Sequence, residues 1–276
     1  KLKIYIYPYI LFFIICKTAS AVLYYGTNHS ELFTISPGVI IKPYGVVRPL
    51  WFFLSLFEVQ IIYFLISKCT EKEFIKSLLS LICLLIGFSL YKMRILLPLY
   101  LSTSLSMIIF LHIGQWINQH AILTFSLQKQ IVIIIIGSII YISAVYLNIN
   151  VDVMLNHLGN YFPISILAAI SASCIILYFS KHIEKIRCLA FILKYLGKNS
   201  LIIFALHILC FEIGRYIIGF PKLENSTLME GIYLTIFAII CSLFIGYPIK
   251  KYILSLNIFK YTPYYLHSKT KKDKSE

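Results

Sequence analysis

The chain has 276 residues; 59% are hydrophobic and only 13% are charged. A soluble domain carries about 25% charged residues, so a soluble enzyme is excluded, and the same apolar content excludes a disordered chain. The 25 Lys and Arg against 11 Asp and Glu leave a net charge of +14, which in so apolar a chain reads as basic loops beside a membrane rather than as a nucleic-acid surface.

The apolar residues run in continuous blocks long enough to cross a bilayer as helices. They do not alternate as the strands of a membrane barrel would. The expected fold is therefore all-α, a polytopic bundle of about eight membrane helices. They fall near 4–25, 50–66, 77–91, 95–113, 131–147, 162–179, 200–218 and 231–249. The opening lacks the small-residue cleavage site of a signal peptide and reads as an ordinary membrane helix. Alternation with Lys1 inside puts most Lys and Arg on the cytoplasmic side, so both termini are expected there. Residues 1–250 form the membrane domain and 251–276 a basic tail, whose KTKKDKSE end reads as solvated or resting on anionic headgroups. The seven cysteines contain no CxxC pair, so neither a redox motif nor a metal site is indicated.

Ionisable and polar groups within the spans are costly in lipid and mark candidate sites. In the second helix Trp51, Ser55 and Glu58 are spaced by four and three and share one face. Glu58 needs a donor, a cation or its own proton; it lines a polar cavity or pairs with an arginine. Arg94 opens the fourth helix near Pro98, where it either snorkels to headgroups or holds an anion bidentately. His112, in FLHIGQW, lies near the other end of that helix and is either interfacial or functional. The loop NINVDVMLNHLGNY holds Asn148, Asp152 and Asn160, a chemistry suited to hydroxyl-rich ligands and equally to a hydrated connection. In the seventh helix Asn199 or Ser200 can cap the start. His207 follows about 10 Å further in; it either hydrogen-bonds within the bundle or acts as a base in a wet cavity. Glu212 and Arg215 are three apart and are expected to pair.

Five stretches, in order, carry a resemblance. They are PYILFF (Pro8 to Phe13), PLWFFLSLFEVQIIYFLI (Pro49 to Ile66), IGFSLYKMRILLPLYLSTSLSMIIFLHIGQWI (Ile86 to Ile117), NINVDVMLNHLGNY (Asn148 to Tyr161) and LGKNSLIIFALH (Leu196 to His207). Together they resemble the membrane acyltransferase 3 family, particularly its branch similar to fucose 4-O-acetylases. Members typically have ten membrane helices, so the resemblance implies two more before Lys1, carrying the family's catalytic histidine and arginine. No position here receives those two. The implied reaction moves an acetyl or similar acyl group from acyl-CoA, a co-substrate rather than a bound cofactor, to a sugar hydroxyl of an envelope polysaccharide or lipid-linked glycan. The implied setting is a bacterial inner membrane. By resemblance, Trp51, Glu58, Arg94, Asn148, Asp152, Asn160, Asn199 and Ser200 line the site, and His207 is the candidate base. Lys194 and Lys198 are the expected contacts for the acyl-CoA phosphates. No serine shows a base–orienter arrangement in the sequence, so an acyl-serine is not expected. The expected partners are the bilayer and a sugar or glycolipid acceptor, with no nucleic acid. The alternatives are a transporter or flippase of a small anion or lipid-linked sugar, and an inactive fragment.

Overall fold

A backbone in lipid must satisfy every N–H and C=O internally, and continuous apolar segments do so as helices. The computed structural model of the chain describes residues 2–23, 37–43, 45–120, 126–147, 149–218 and 227–253. Among these, α1 is Leu2–Leu23, α2 Pro37–Ile41, α3 Trp51–Cys69, α4 Glu73–Lys92, α5 Leu101–Gln119 and α6 Leu127–Tyr146. After a loop come α7 Phe162–Ile183, α8 Arg187–Lys198, α9 Ser200–Ile218 and α10 Leu228–Pro248. Tighter 3₁₀ turns at Gly45–Leu50 and Pro98–Tyr100 lead into α3 and α5. Among the described residues seven helices are long and apolar enough to cross a bilayer; α8 and α9, bent by 75° at a short break, pass the same test as a pair and count as an eighth if they form one span. The protein is a polytopic helical membrane bundle, and each expected span falls on α1, α3–α7, α9 or α10.

One element departs from expectation. Residues 187–198, read from the sequence as basic loop, form α8. Its apolar residues, Leu189, Ile192, Leu193 and Leu196, recur at helical spacing. The interleaved Arg187, Lys194 and Lys198 dilute that signal in a search for continuous apolar runs.

Helix direction sets the two ends of the bundle. Ser55 meets Ser104, and Tyr63 meets His112, so α3 and α5 run parallel in one register. α4 returns between them in sequence: Ser77 meets His112 near its start and Gly87 abuts Ser106 higher up. Phe88 stacks on Phe162 at 4.2 Å. The end of α4, the starts of α3, α5 and α7, and the 149–161 loop therefore gather at one end, the loop end. The opposite end holds Lys68, Lys72, Lys76, Lys181 and Lys185; it is the basic end. A second cluster joins α1, the Gly45–Leu50 turn, α9 and α10 through Phe12, Phe53, Leu50, Leu206 and Ala238.

Candidate functional site

At the loop end the 149–161 loop is fastened into the bundle by Asn156, which is fully buried. Its backbone is left-handed, φ 56°, a region asparagine tolerates better than most residues. That turn aims the amide inward. Its Nδ2 donates to the Gly87 carbonyl at 2.7 Å, and its Oδ1 accepts from Ser106 Oγ at 2.7 Å. Gly87 permits the approach: a Cβ there would sit 2.2 Å from Ser106 Oγ and 2.9 Å from the Ser106 nitrogen. Asp152 and His157 exchange backbone hydrogen bonds at the base of the turn. Asp152 lies 3.9 Å from Arg48, whose Nε donates to Met154 Sδ at 3.2 Å. Asn160 is exposed on the same loop, and Asn148 lies outside the described residues.

Beside this loop the link from α4 to α5 is bent sharply. Arg94, Leu99 and Tyr100 all have positive φ, at 57°, 58° and 70°. Left-handed turns cost non-glycine residues about 1 kcal/mol each, and Ser102 offsets part of this by accepting the Leu97 N–H at 2.9 Å. The link walls a cavity of about 110 Å³ with Lys42, Thr103 and Met154. Arg94 itself is exposed on the turn, so it does not join the other candidate residues. Its location matches a headgroup-facing arginine.

Inside the bundle Glu58 meets Ser104, which donates to its carboxylate at 2.7 Å; Ser104 also lies 2.9 Å from Ser55. The α3 face that the sequence placed together is thus paired with α5. The carboxylate is half-buried, leaving acceptor capacity toward the accessible side. Nearer the basic end, His112 sits between Tyr63 (Nδ1, 3.1 Å) and Ser77 (Nε2, 2.7 Å). Both ring nitrogens are occupied and the residue is only 4% exposed, so it ties α3, α4 and α5 together. The sequence showed no serine with a base and an orienter; folding creates one in Ser77–His112–Tyr63. Ser77 Oγ also reaches the Glu73 carbonyl at 3.0 Å. With its proton committed there, His112 Nε2–H donates to Ser77 and Nδ1 accepts from Tyr63. This tautomer fastens helices and does not activate the serine.

An aromatic series connects α5 to α9. Tyr100 lies 5.6 Å from Trp51, Trp51 5.9 Å from Phe52, Phe52 5.0 Å from Phe204, and Phe204 5.8 Å from His207. Contacts of this kind favour offset and edge geometries. They bring Phe52 of α3 against Phe204, one turn before His207 on α9. His207 Nδ1 lies 2.7 Å from the Phe204 carbonyl. A carbonyl only accepts, so Nδ1 carries the proton and Nε2 presents a lone pair.

Asn199 marks the break between α8 and α9. Its side chain does not cap α9: Nδ2 donates back to the Tyr195 carbonyl at 2.9 Å, and Oδ1 accepts from Lys250 Nζ at 2.8 Å. The backbone carbonyl of Asn199 instead receives the N–H groups of Ile202 and Ile203. Ser200 is exposed. Lys198, Asn199, Lys250 and Tyr195 line a cavity of about 290 Å³. Lys194 is directed elsewhere: it pairs with Glu184 at 2.7 Å. That ammonium, hydrogen-bonded to the carboxylate, holds the Glu184 carboxyl below its usual range. Arg215 pairs with Glu212 at 2.7 Å, as their spacing implied.

Among the described residues the polar groupings include Arg48–Asp152, Asn156–Ser106, Ser55–Glu58–Ser104, Tyr63–His112–Ser77 and Lys198–Asn199–Lys250. His207 stands on α9 beyond the last of them. Sequence reasoning passed over Lys250, counted only as loop charge, and Ser104 and Gly87, which carry no signal alone. It also passed over Lys17, which is 5% exposed on α1 and lines a cavity of about 420 Å³ with Tyr9, Phe13 and Ile40. A lysine inside an apolar helix was the available cue. Among the described residues no group of three His, Cys, Asp or Glu could hold a metal ion.

No curated protein and no solved structure matches the chain. A family model described as an acyltransferase domain matches residues 2–247, which is most of the 276 residues and every membrane helix. The chain belongs to that acyltransferase family.

Proposed function

We propose that the protein transfers an acyl group from acyl-CoA to a hydroxyl of a sugar in an envelope polysaccharide or lipid-linked glycan. The observation that carries this reading is the state of His207. Its Nδ1–H is held by the Phe204 carbonyl, which leaves Nε2 able to take a proton. It stands about 12 Å along α9 from Asn199 and its cationic cavity. Lys198 and Lys250 supply positive charge there for the donor phosphates, and a thioester on an extended arm reaches along α9 from that point. Nε2 removes the proton of the acceptor hydroxyl, whose oxygen attacks the thioester carbonyl. The C–S bond breaks, and the departing thiolate recovers a proton from the imidazolium. Neither an acyl-serine nor a metal is required in this scheme. Asp152 and Asn160 offer polar contacts to a hydroxyl-rich acceptor at the loop end. The basic end faces the cytoplasm, as the positive-inside bias favours.

The test is release of free coenzyme A thiol by the purified chain in vesicles, with acetyl-CoA and a sugar acceptor. Release that depends on the acceptor and falls at least a hundredfold in His207→Ala, with membrane insertion intact, supports the reading. Acceptor-independent or His207-independent release removes it. A transporter is the second reading, because the interrupted α8–α9 helix is a device that transporters use at binding sites. Solute movement across the vesicle without any thiol release would favour it.

A further inference from the structure

Membrane proteins collect Lys and Arg in their cytoplasmic loops and keep fewer on the other side. The loop end departs from this. Cations from separate turns stand around the 149–161 loop. Lys42 walls the cavity of about 110 Å³ together with Met154 and Leu155 of the loop. Arg48 donates through Nε to Met154 Sδ at 3.2 Å and stands 3.9 Å from Asp152. On the other flank Lys92 lies over the rings of Phe88 and Tyr91, at 5.5 and 5.9 Å, and Tyr91 meets the loop edge-on at His157, 5.0 Å away. Snorkelling to headgroups accounts for a cation that stands alone on a turn, as Arg94 does. It does not account for cations gathered onto one loop.

We infer that the loop end is a docking surface for an acidic saccharide, whose carboxylate or phosphate groups meet Lys42, Arg48 and Lys92 while Asp152 and Asn160 take its hydroxyls. The donors this requires are unspent. Sulfur is a weak acceptor, and 3.9 Å is beyond hydrogen-bond reach. The terminal amino groups of Arg48 therefore keep a fork suited to a carboxylate or phosphate, on a side chain that is 57% exposed. Among the described residues neither the Lys42 nor the Lys92 ammonium gives an N–H to an acceptor, and both residues are exposed. Asp152 is the carboxylate these cations meet, so positive charge is left over. The surface beneath them is rigid. Asn156 is pegged into the bundle, Asp152 and His157 exchange backbone bonds of 2.9 and 2.8 Å, and Ser165 Oγ reaches the Leu158 carbonyl at 2.6 Å. Charges held in place in advance cost little to order when a ligand arrives. The same loop exposes Asn160 and Tyr161, an amide for hydroxyls and a ring for the C–H face of a sugar. A neutral glycan would use these two and leave the cations idle. That such a saccharide receives the acyl group rests on the proposed function; the docking surface does not.

The test measures binding of two labelled oligosaccharides of equal length, hexagalacturonate and maltohexaose, by fluorescence anisotropy on the full chain in phosphatidylcholine nanodiscs. Both ends of the bundle are accessible there, so Lys181→Gln with Lys185→Gln controls for the basic end. Hexagalacturonate should bind about tenfold more tightly than maltohexaose, and its affinity should fall as salt is raised. Lys42→Gln with Arg48→Gln should weaken it about tenfold and Lys92→Gln about threefold, while the basic-end pair leaves it unchanged. Lys42→Gln alone, at an ammonium with no bond to lose, carries the test if the double variant does not elute as the native chain does. Equal affinity for the two sugars overturns the proposal, as does loss of binding only in the basic-end pair. A headgroup occupant overturns it as well: no saccharide binds, and added phosphatidylglycerol co-purifies with the native chain but not with Lys42→Gln, Arg48→Gln. Hexagalacturonate binding without thiol release from acetyl-CoA keeps the docking surface and removes the acyl-transfer reading. Thiol release that both sugars stimulate equally keeps acyl transfer and overturns the acidic preference.

Discussion

The loop end of α4 and α5 and the α8–α9–α10 corner both bury polar groups, and they do so in opposite ways. At Asn156 both ends of the amide are consumed at 2.7 Å, and Gly87 closes the remaining space. At Asn199 the amide also has two partners, but it stands beside a cavity of about 290 Å³ with two lysines. A polar group sealed on every side fixes register; one left at a cavity with unspent charge can meet a ligand. The difference separates structure from chemistry better than residue type does, since asparagine serves both regions.

The contrast can be broken first at its tightest point. Gly87→Val drives methyl groups into Ser106 and should cost more than 3 kcal/mol by overpacking. The expected result is loss of the monodisperse species on size exclusion in detergent; near-native yield would mean that the loop is not wedged there. Asn156→Ala removes the amide's hydrogen bonds to the Gly87 carbonyl and Ser106 and places alanine in a left-handed turn. It should cost about 2 kcal/mol, read as a fall in thermal midpoint. His112→Phe keeps the volume and removes two hydrogen bonds, costing about 1 kcal/mol with acyl transfer retained; a hundredfold activity loss at unchanged stability would make His112 chemical after all.

The open corner should answer differently. Lys250→Met should shift the thermal midpoint by no more than about 0.5 kcal/mol equivalent, because water can replace its bond to Asn199. Its KM for the acyl donor should rise about tenfold while kcat holds. Equal losses in stability and activity would erase the distinction between the two regions. Arg48→Ala should do least: its contact with Asp152 is 3.9 Å long and exposed, and such pairs contribute about 0 to 1 kcal/mol. Only acceptor dependence should move.

Much of the fold was legible because lipid allows few solutions. A run such as ICLLIGF can satisfy its backbone there as a helix, so each of the eight spans was visible from apolarity alone. α8 was hidden by the same rule, since its three basic residues break the run that marks a span. The expected partnership of Glu212 with Arg215 was readable because helical spacing alone brings them together. Glu58 was readable as a residue needing a donor, but that donor, Ser104, lies 46 positions away. Lys194 and Lys198 looked equivalent in sequence. A turn after α7 gave one of them Glu184 and left the other at the cavity.

The sequence by itself determined a basic, polytopic helical chain and the order of motifs that marks its family, because these depend on composition and on neighbours within a few turns. Tertiary structure alone decided that Asn156 is a peg, that His112 is a clamp, and that Phe204, one turn before His207, meets Phe52. It also decided where the α8–α9 helix breaks. Each of these depends on which side chains meet across the bundle and at what depth, and depth is set by packing between helices that the chain reaches dozens of residues apart.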